Sequence, residues 1–436
     1  MWKTIAAAGL FGWALNLWGP PPEPLRLTAQ LNWQEAAFFQ LPAEPDPTAE
    51  RLVKQYLQDL ATLGVPTEQQ GVWLQADLTR LAVYNGEQPL AAASLTKIAT
   101  TLAALHEWDL EHRFETRVLV TGSVQDGRLD GDLIVQGSGN PLFVWEEAIA
   151  LGNALNDLDI REVTGRLIVT GRFYMNFRTE PEIAGEQLQQ AWQSDRWSAE
   201  IERQYALMPP GTPRPQVAIA GGMTVTEQLT AEPILLLSHQ SVTLVEILKQ
   251  MNLYSNNVMA EVLAESVGGA ARVAAIAADT AGVEASEIQL INGSGLGTEN
   301  RISPRASVAM LVALQERLRG YPYATTDLFP VAGRDHIGTM RGRNVPPGTA
   351  LKTGTLNQVS ALAGWLPTRD RGLVWFALIN NGSSRISTLR VEQDRLLRRL
   401  AEAWGSDPAL NGSSLKPDEP LGDPSRISTG SSAPPN

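Results

Sequence analysis

The chain of 436 residues has no cysteine. Structural disulfides, thiolate zinc sites and cysteine nucleophiles are all excluded, and the lack of thiols is compatible with an oxidising compartment without demonstrating one. Histidine is scarce, with only His106, His112, His239 and His336. The stretch "HEWDLEH" places His106 and His112 six apart, at about 100° per residue on different helix faces, whereas a zinc helix needs histidines at i and i+4. There is no G-x-S-x-G elbow to anchor a Ser-His-Asp hydrolase and no G-x-x-x-x-G-K phosphate loop. "GSGNP" is too short a glycine signal for dinucleotide binding. Basic runs are also missing. Net charge is −12 with pI near 5.0, which speaks against nucleic-acid binding.

What is present begins with "MWKTIAAAGLFGWALNLWGPPPEP". One early lysine precedes an apolar run from Ile5 to Trp18, which at 1.5 Å per residue reaches roughly 21 Å, short of the ~30 Å hydrocarbon core. This length suits the apolar region of a secretory signal. No clear small-x-small cleavage site follows, so residues 1–18 read as a signal peptide or an uncleaved anchor, with possible membrane association, and the protein as exported, periplasmic or otherwise extracytoplasmic. Residues 19–48, rich in proline and glutamate, read as a linker.

"TAERLVKQYLQDLATLG" then carries Leu52, Tyr56, Leu60 and Leu63 on one helical stripe. "GVWLQADLTRLAVYNGEQPL" alternates apolar and polar residues and contains an Asn-Gly turn, so a hairpin is predicted. A helix beginning at Ser94 follows. From about residue 113 short strands are broken by Gly and Asp-Gly turns, and helical texture returns at "VTLVEILKQMNLYSNNVMAEVLAESVG". A β-rich block at 113–235 between helical blocks reads as an insertion, with 49–112 and 236–404 forming one split domain. Past residue 345, "GTALKTGTLNQVSALAGWL", "PTRDRG" and "GLVWFALINNG" predict consecutive antiparallel strands joined by polar turns. "STLRVEQDRLLRRLAEAW" predicts a covering helix with Leu389, Leu396, Leu397, Leu400 and Trp404 inward. Residues 405–436, without periodicity, read as a disordered tail.

The chemistry concentrates in "AAASLTKIATTLAAL". Ser94 and Lys97, three apart, share one helix face. Alone, the pair also fits a capped helix start with a snorkelling lysine. With histidine excluded, a serine nucleophile needs another proton acceptor, and a lysine serves if burial or a nearby cation pulls its pKa toward neutrality. Apolar sequence around Lys97 offers the first condition. Lys352 in "LKTGTL" offers the second. Gly354 there would let a substrate backbone lie against the strand, and Thr353, Thr355 and Lys352 could hold a carboxylate. Ser255 and Asn257 in "YSNNVMAE" offer a third element.

S-x-x-K, S-x-N and K-T-G in that order resemble the penicillin-recognising serine enzymes. The chain most resembles the D-alanyl-D-alanine carboxypeptidase/endopeptidases of the low-molecular-mass class C penicillin-binding proteins. "QGSGNPLF" is similar to that branch's glycine-rich turn, "NGSGLGTENRISP" (Asn292 to Pro304) to its "DGSGLSRxNRVSP", and "IGTMRGR" to its segment before K-T-G. The likeness runs from about residue 50 to 402. Single motifs also occur by accident: Ser413 and Lys416 form another S-x-x-K, and Ser138 and Asn140 another S-x-N. Asn140 and Asn292 stand where the branch usually has aspartates, which leaves substrate preference open.

The resemblance implies an α/β chain of the α+β type. A β-lactamase/transpeptidase-like antiparallel sheet is flanked by helices, beside a helical subdomain and a β-rich inserted domain. Ser94 and Ser255 are 161 positions apart, shorter than the family's usual insertion, so a second inserted domain is expected to be missing or stunted. The implied roles are Ser94 as nucleophile, Lys97 as proton acceptor, Ser255 as proton relay and Asn257 as holder of the acyl-side amide. Lys352, Thr353 and Thr355 would grip the terminal carboxylate, and the N–H groups of Ser94 and Thr355 would form the oxyanion hole. Peptidoglycan stem peptides are the implied partners and β-lactams the implied inhibitors, with no cofactor or metal. Two alternatives stay open: a non-catalytic cell-wall-binding protein on the same scaffold, and a related β-lactamase or esterase.

Overall fold

Five strands form a sheet whose edge strand carries Lys352, Thr353 and Thr355. The computed structural model describes residues 45–229, 232–383, 385–410 and 419–430. The apolar N-terminal stretch, the linker up to residue 44 and the Ser413/Lys416 pair lie outside the described residues. Across the sheet the order is Ala350–Leu356, Val359–Thr368, Gly372–Asn381, Gln70–Ala76, Thr79–Tyr84, all neighbours antiparallel.

Side chains alternate between the two faces of a strand, and here both faces are buried. Leu74, Leu366 and Phe376 pack with α1 (Pro47–Thr62) and α10 (Ile386–Trp404), whereas Trp73, Trp365 and Trp375 pack into the helical layer opposite. The stripe Leu52, Tyr56 and Leu60, and all five inward residues expected of α10, belong to the first core. Helix α1 starts earlier than the linker boundary at 48. Asp46 Oδ1 accepts from the Thr48 and Ala49 N–H groups at 2.9 Å each, and Pro47 occupies the first turn, where a missing N–H costs nothing. A buried network pins both helices to the sheet: Tyr56 Oη donates to Asn380 Oδ1 at 2.8 Å and Gln393 Nε2 to the same oxygen at 2.7 Å.

The first hairpin differs from expectation in its turn. Ala76 pairs with Thr79, so Asp77-Leu78 closes it, with Asp77 at φ 48°, and Asn85-Gly86 comes after the second strand. A two-residue loop needs positive φ, which Asp tolerates by bonding its own backbone.

The helical layer consists of α2 (Thr96–Glu107), α6 (Leu244–Tyr254), α7 (Asn257–Val267), α8 (Ala270–Ala281) and α9 (Pro304–Arg317). Helix α2 runs through its centre, with every residue from Thr96 to Leu105 buried.

Between α2 and α6 the chain forms five strands of a six-stranded mixed sheet, ordered Met223–Val225, Leu167–Arg172, Leu133–Ser138, Glu115–Val120, Ile234–Gln240, Ile427–Thr429, the last of them from near the C-terminus, and a smaller sheet of two- and three-residue strands. The first two pairs of the larger sheet are parallel. Parallel neighbours need crossovers, supplied by α3 (Trp145–Asp157), α4 (Pro181–Ala191) and α5 (Ala199–Tyr205). The block expected to be β-rich thus carries its two sheets together with three helices.

The tail is a second correction. Residues 419–430 are ordered, and Ile427–Thr429 adds the last antiparallel strand beside Leu237–His239. Arg426 Nη2 donates to Glu147 Oε1 at 2.8 Å, and Glu147 Oε2 lies 2.7 Å from His239 Nε2, with all three side chains buried. Arg113 grips the Glu419 carboxylate with two N–H donors. Buried paired charges and a free sheet edge hold a segment that local composition marks as loop.

Candidate active site

Ser94 lies in a single 3-10 turn, Ala93–Leu95, that opens α2. Ala93 before it has φ 47°, a left-handed conformation that costs an L-residue about 1–2 kcal/mol. The loop 292–296 presses on this turn. A Cβ at Gly295, itself at φ 84°, would sit 2.0 Å from the Ala93 carbonyl oxygen, so only glycine fits there.

From the next turn the buried Lys97 reaches back. Its Nζ lies 3.1 Å from Ser94 Oγ, 2.8 Å from Asn257 Oδ1 and 2.7 Å from the Ser294 carbonyl oxygen. The amide and carbonyl oxygens can only accept, so they use two N–H donors. The third position faces the Ser94 hydroxyl. A charged amine donates there, and a neutral amine presents its lone pair to the O–H.

Helix α6 ends at Ser255, in left-handed conformation at φ 54°, whose N–H donates to the Met251 carbonyl. Asn256 then caps α7, its Oδ1 accepting from the Met259 N–H at 3.1 Å. The junction sends its two functional side chains to different lysines: Asn257 to Lys97, and Ser255 Oγ to Lys352 Nζ at 2.9 Å. Lys352 rises from the edge strand, buried, and also donates to the Thr353 carbonyl at 2.8 Å.

Gly354 serves a different neighbour from the one expected. A Cβ there would meet the Ala92 carbonyl oxygen at 2.7 Å and the Ala93 methyl at 3.2 Å. It lets the strand lie against the Ser94 turn itself.

Burial sets the electrostatics. Removing the Lys97 ammonium from water disfavours its charge and pulls its pKa down to about 7, against the opposing pull of the Glu261 carboxylate. Lys352 is held well below the usual lysine range by burial, and further by the charge of Lys97.

The predicted residues thus form two hydrogen-bonded clusters, Ser94–Lys97–Asn257 and Ser255–Lys352–Thr353. The Thr355 hydroxyl stands apart from both lysines and accepts from Arg390 Nη2 at 2.8 Å. Sequence reasoning missed three contributors. Glu261 accepts from the Gly293 and Ser294 N–H groups at 2.9 and 3.0 Å and so fixes the loop whose carbonyl holds Lys97. Its place four residues after Asn257, on the same helix face, was the available signal. Thr100 ties the same loop to α2 through the Gly293 carbonyl at 2.6 Å. Arg390 carried no signal.

Residues 51–209 and 215–402 match the D-Ala-D-Ala carboxypeptidase 3 (S13) family. The chain belongs to it. Among relatives of this S13 member is a D-alanyl-D-alanine carboxypeptidase of Actinomadura sp. (strain R39), 33% identical over 189 residues, 39% of this chain and 34% of the relative. Against three curated relatives the matching stretches span 34%, 19% and 38% of the relatives' own lengths. The fold is similar to that of a penicillin G-acylated predatory endopeptidase from Bdellovibrio bacteriovorus, with TM-score 0.66 and 22% identity over 83% of this chain and 99% of the other. It is also similar to penicillin binding protein 4 from Haemophilus influenzae complexed with a β-lactam, with TM-score 0.59 and 20% identity over 80% of this chain and 99% of the other.

The two asparagines that stand where the resemblance implies aspartates differ in their bonding. Asn292 uses both ends of its amide to close the site loop: Oδ1 accepts from the Gly295 N–H at 2.8 Å and Nδ2 donates to the Leu296 carbonyl at 2.6 Å. A carboxylate could not make the second bond. Asn140 Oδ1 accepts from the Leu142 N–H at 2.9 Å and so tightens its turn, while the buried Nδ2 has no partner among the described residues.

Proposed function

We propose that this chain is a serine-type D-Ala-D-Ala carboxypeptidase/endopeptidase that acts on peptidoglycan stem peptides through an acyl-enzyme on Ser94 and is itself acylated by penicillins. The observation that carries the reading is the Lys97 amine, fixed by two obligate acceptors with its third position on the Ser94 hydroxyl. Ser94 Oγ attacks the carbonyl carbon between two D-alanines while its proton passes to Lys97 Nζ. The N–H groups of Ser94 and Thr355 receive the developing oxyanion, where each such donor contributes about 3 kcal/mol to the transition state. The C–N bond then breaks, and Ser255 relays a proton to the departing amine. Asn257 holds the acyl-side amide, and Lys352 with Thr353 and Thr355 grips the terminal carboxylate. Water hydrolyses the ester and returns Ser94. A carboxylate entering beside Lys352 supplies the charge that favours its protonation, so substrate binding itself restores the cation that burial discourages.

The family supports this reading, as does the penicillin acylation of a protein of similar fold. The apolar N-terminal stretch supports action outside the cytoplasm, in the periplasm or an equivalent compartment, with the stretch serving as signal or anchor. Mass spectrometry after incubation with penicillin tests the core of it. The expected adduct lies on the peptide containing Ser94 and is lost in Ser94→Ala. Equal labelling of both proteins, or an adduct elsewhere, would overturn the assignment.

A further inference from the structure

The carboxylate end of the proposed groove poses an electrostatic problem. Lys352 is buried and its charge is disfavoured before substrate arrives. A terminal carboxylate approaching from water is drawn in earlier by a positive charge that is present before Lys352 regains its own. Arg390, on α10, is half-buried, and its Nη2 donates to Thr355 Oγ1 at 2.8 Å. Guanidinium does not deprotonate in proteins. The acids near it in sequence are engaged elsewhere: Glu392 pairs with Arg395 and Asp394 with Arg343. Among the described residues Arg390 has no carboxylate partner. By occupying the acceptor side of the Thr355 hydroxyl, it leaves that group's own proton free to donate outward.

We propose that Arg390 is a specificity-determining residue that reads the terminal carboxylate of the substrate, by orienting the Thr355 O–H toward it and by supplying a permanent positive charge beside it. This rests on the function proposed above. It predicts that α10, whose other task is to cover the sheet, also sets the preference for ligands that end in a free carboxylate.

The test uses the full chain and two peptides, one ending in D-Ala-D-Ala and the same peptide with a C-terminal carboxamide. Arg390→Gln is expected to lower kcat/KM on the free-carboxylate peptide about tenfold, mainly through KM, and so to shrink the preference over the amide, in keeping with one charge-assisted contact. Arg390→Lys is expected to recover part of the loss. Thr355→Val is expected to cause a similar loss, with the double variant little worse than the worse single one, since both act on one contact. Equal losses on the two peptides, no loss on the carboxylate peptide, or additive losses in the double variant would overturn the proposal. A wild-type chain that penicillin does not label at Ser94 would instead remove the function on which it rests.

Discussion

The proton inventory of Lys97 decides how fast Ser94 can be acylated, and it can be read as a pH profile. At a pKa of about 7 roughly half the molecules hold a neutral amine at pH 7. An ordinary lysine near 10.4 would be neutral in only about one molecule in several thousand. Burial thus enlarges the competent fraction on the order of a thousandfold. Acylation by a labelled penicillin is expected to rise tenfold per pH unit below a limb near 7 and to level above it, which makes the rate at pH 5 about a hundredth of the plateau. The charged groups facing the amine are Lys352 from the edge strand and Glu261 from α7. Glu261 favours the charged form, so Glu261→Gln moves the limb to lower pH. The same change weakens the plateau. A glutamine oxygen can accept from one of the two loop N–H groups, but its NH2 faces the other, and the Ser294 carbonyl is no longer held in place. Mere loss of fold would lower the plateau without moving the limb. A wild-type limb in the carboxylate range, or an upward shift in Glu261→Gln, would refute Lys97 as the base.

Two further outcomes test the scaffold. Arg426→Met leaves Glu147 buried without its guanidinium partner, a change that typically costs about 3–5 kcal/mol; a lowered unfolding midpoint in denaturant is expected with penicillin acylation retained, and an unchanged midpoint would deny the tail any structural part. Gly354→Ala places a methyl 2.7 Å from the Ala92 carbonyl oxygen and drives the edge strand off the Ser94 turn. Acylation is expected to fall on the order of a hundredfold, as for ångström-scale misplacement of reacting groups, with little change in melting. Wild-type rates would show that the strand and the turn adjust independently.

Local periodicity made much of the fold legible. The stripes of α1 and α10 each declare one buried face within a few residues, and the three strands after residue 345, covered on both faces, show as apolar runs between polar turns. The site motifs were legible for a similar reason, since Ser94 and Lys97 meet across one helical turn. Helix α3 was hidden because it is buried nearly all round its first two turns, Glu146 and Glu147 included, so no polar stripe marks it. The tail strand was hidden because three residues pair with an edge about 190 positions away, and no composition near Ile427 announces that edge. The contribution of Ser294 is a backbone carbonyl, which side-chain identity cannot reveal. Gly354 was recognised as a place for close approach, but the approaching backbone is the chain's own.

The missing cysteines bear on how the site keeps its geometry. Three distant segments must converge within hydrogen-bond reach, and no covalent link ties any of them. Two bring a residue in left-handed backbone, Ala93 and Ser255, and two bring an amine into low dielectric; each is unfavourable on its own. What offsets them is close apposition of backbone. Gly295 lies on the Ala93 carbonyl, Gly354 on the Ala92 carbonyl, and Glu261 and Thr100 clamp the loop between. These contacts involve few apolar atoms, so they add little to global stability relative to the two cores on either side of the sheet. Changes at the glycines and at Glu261 therefore strike catalysis before they strike folding, and changes in the cores do the reverse.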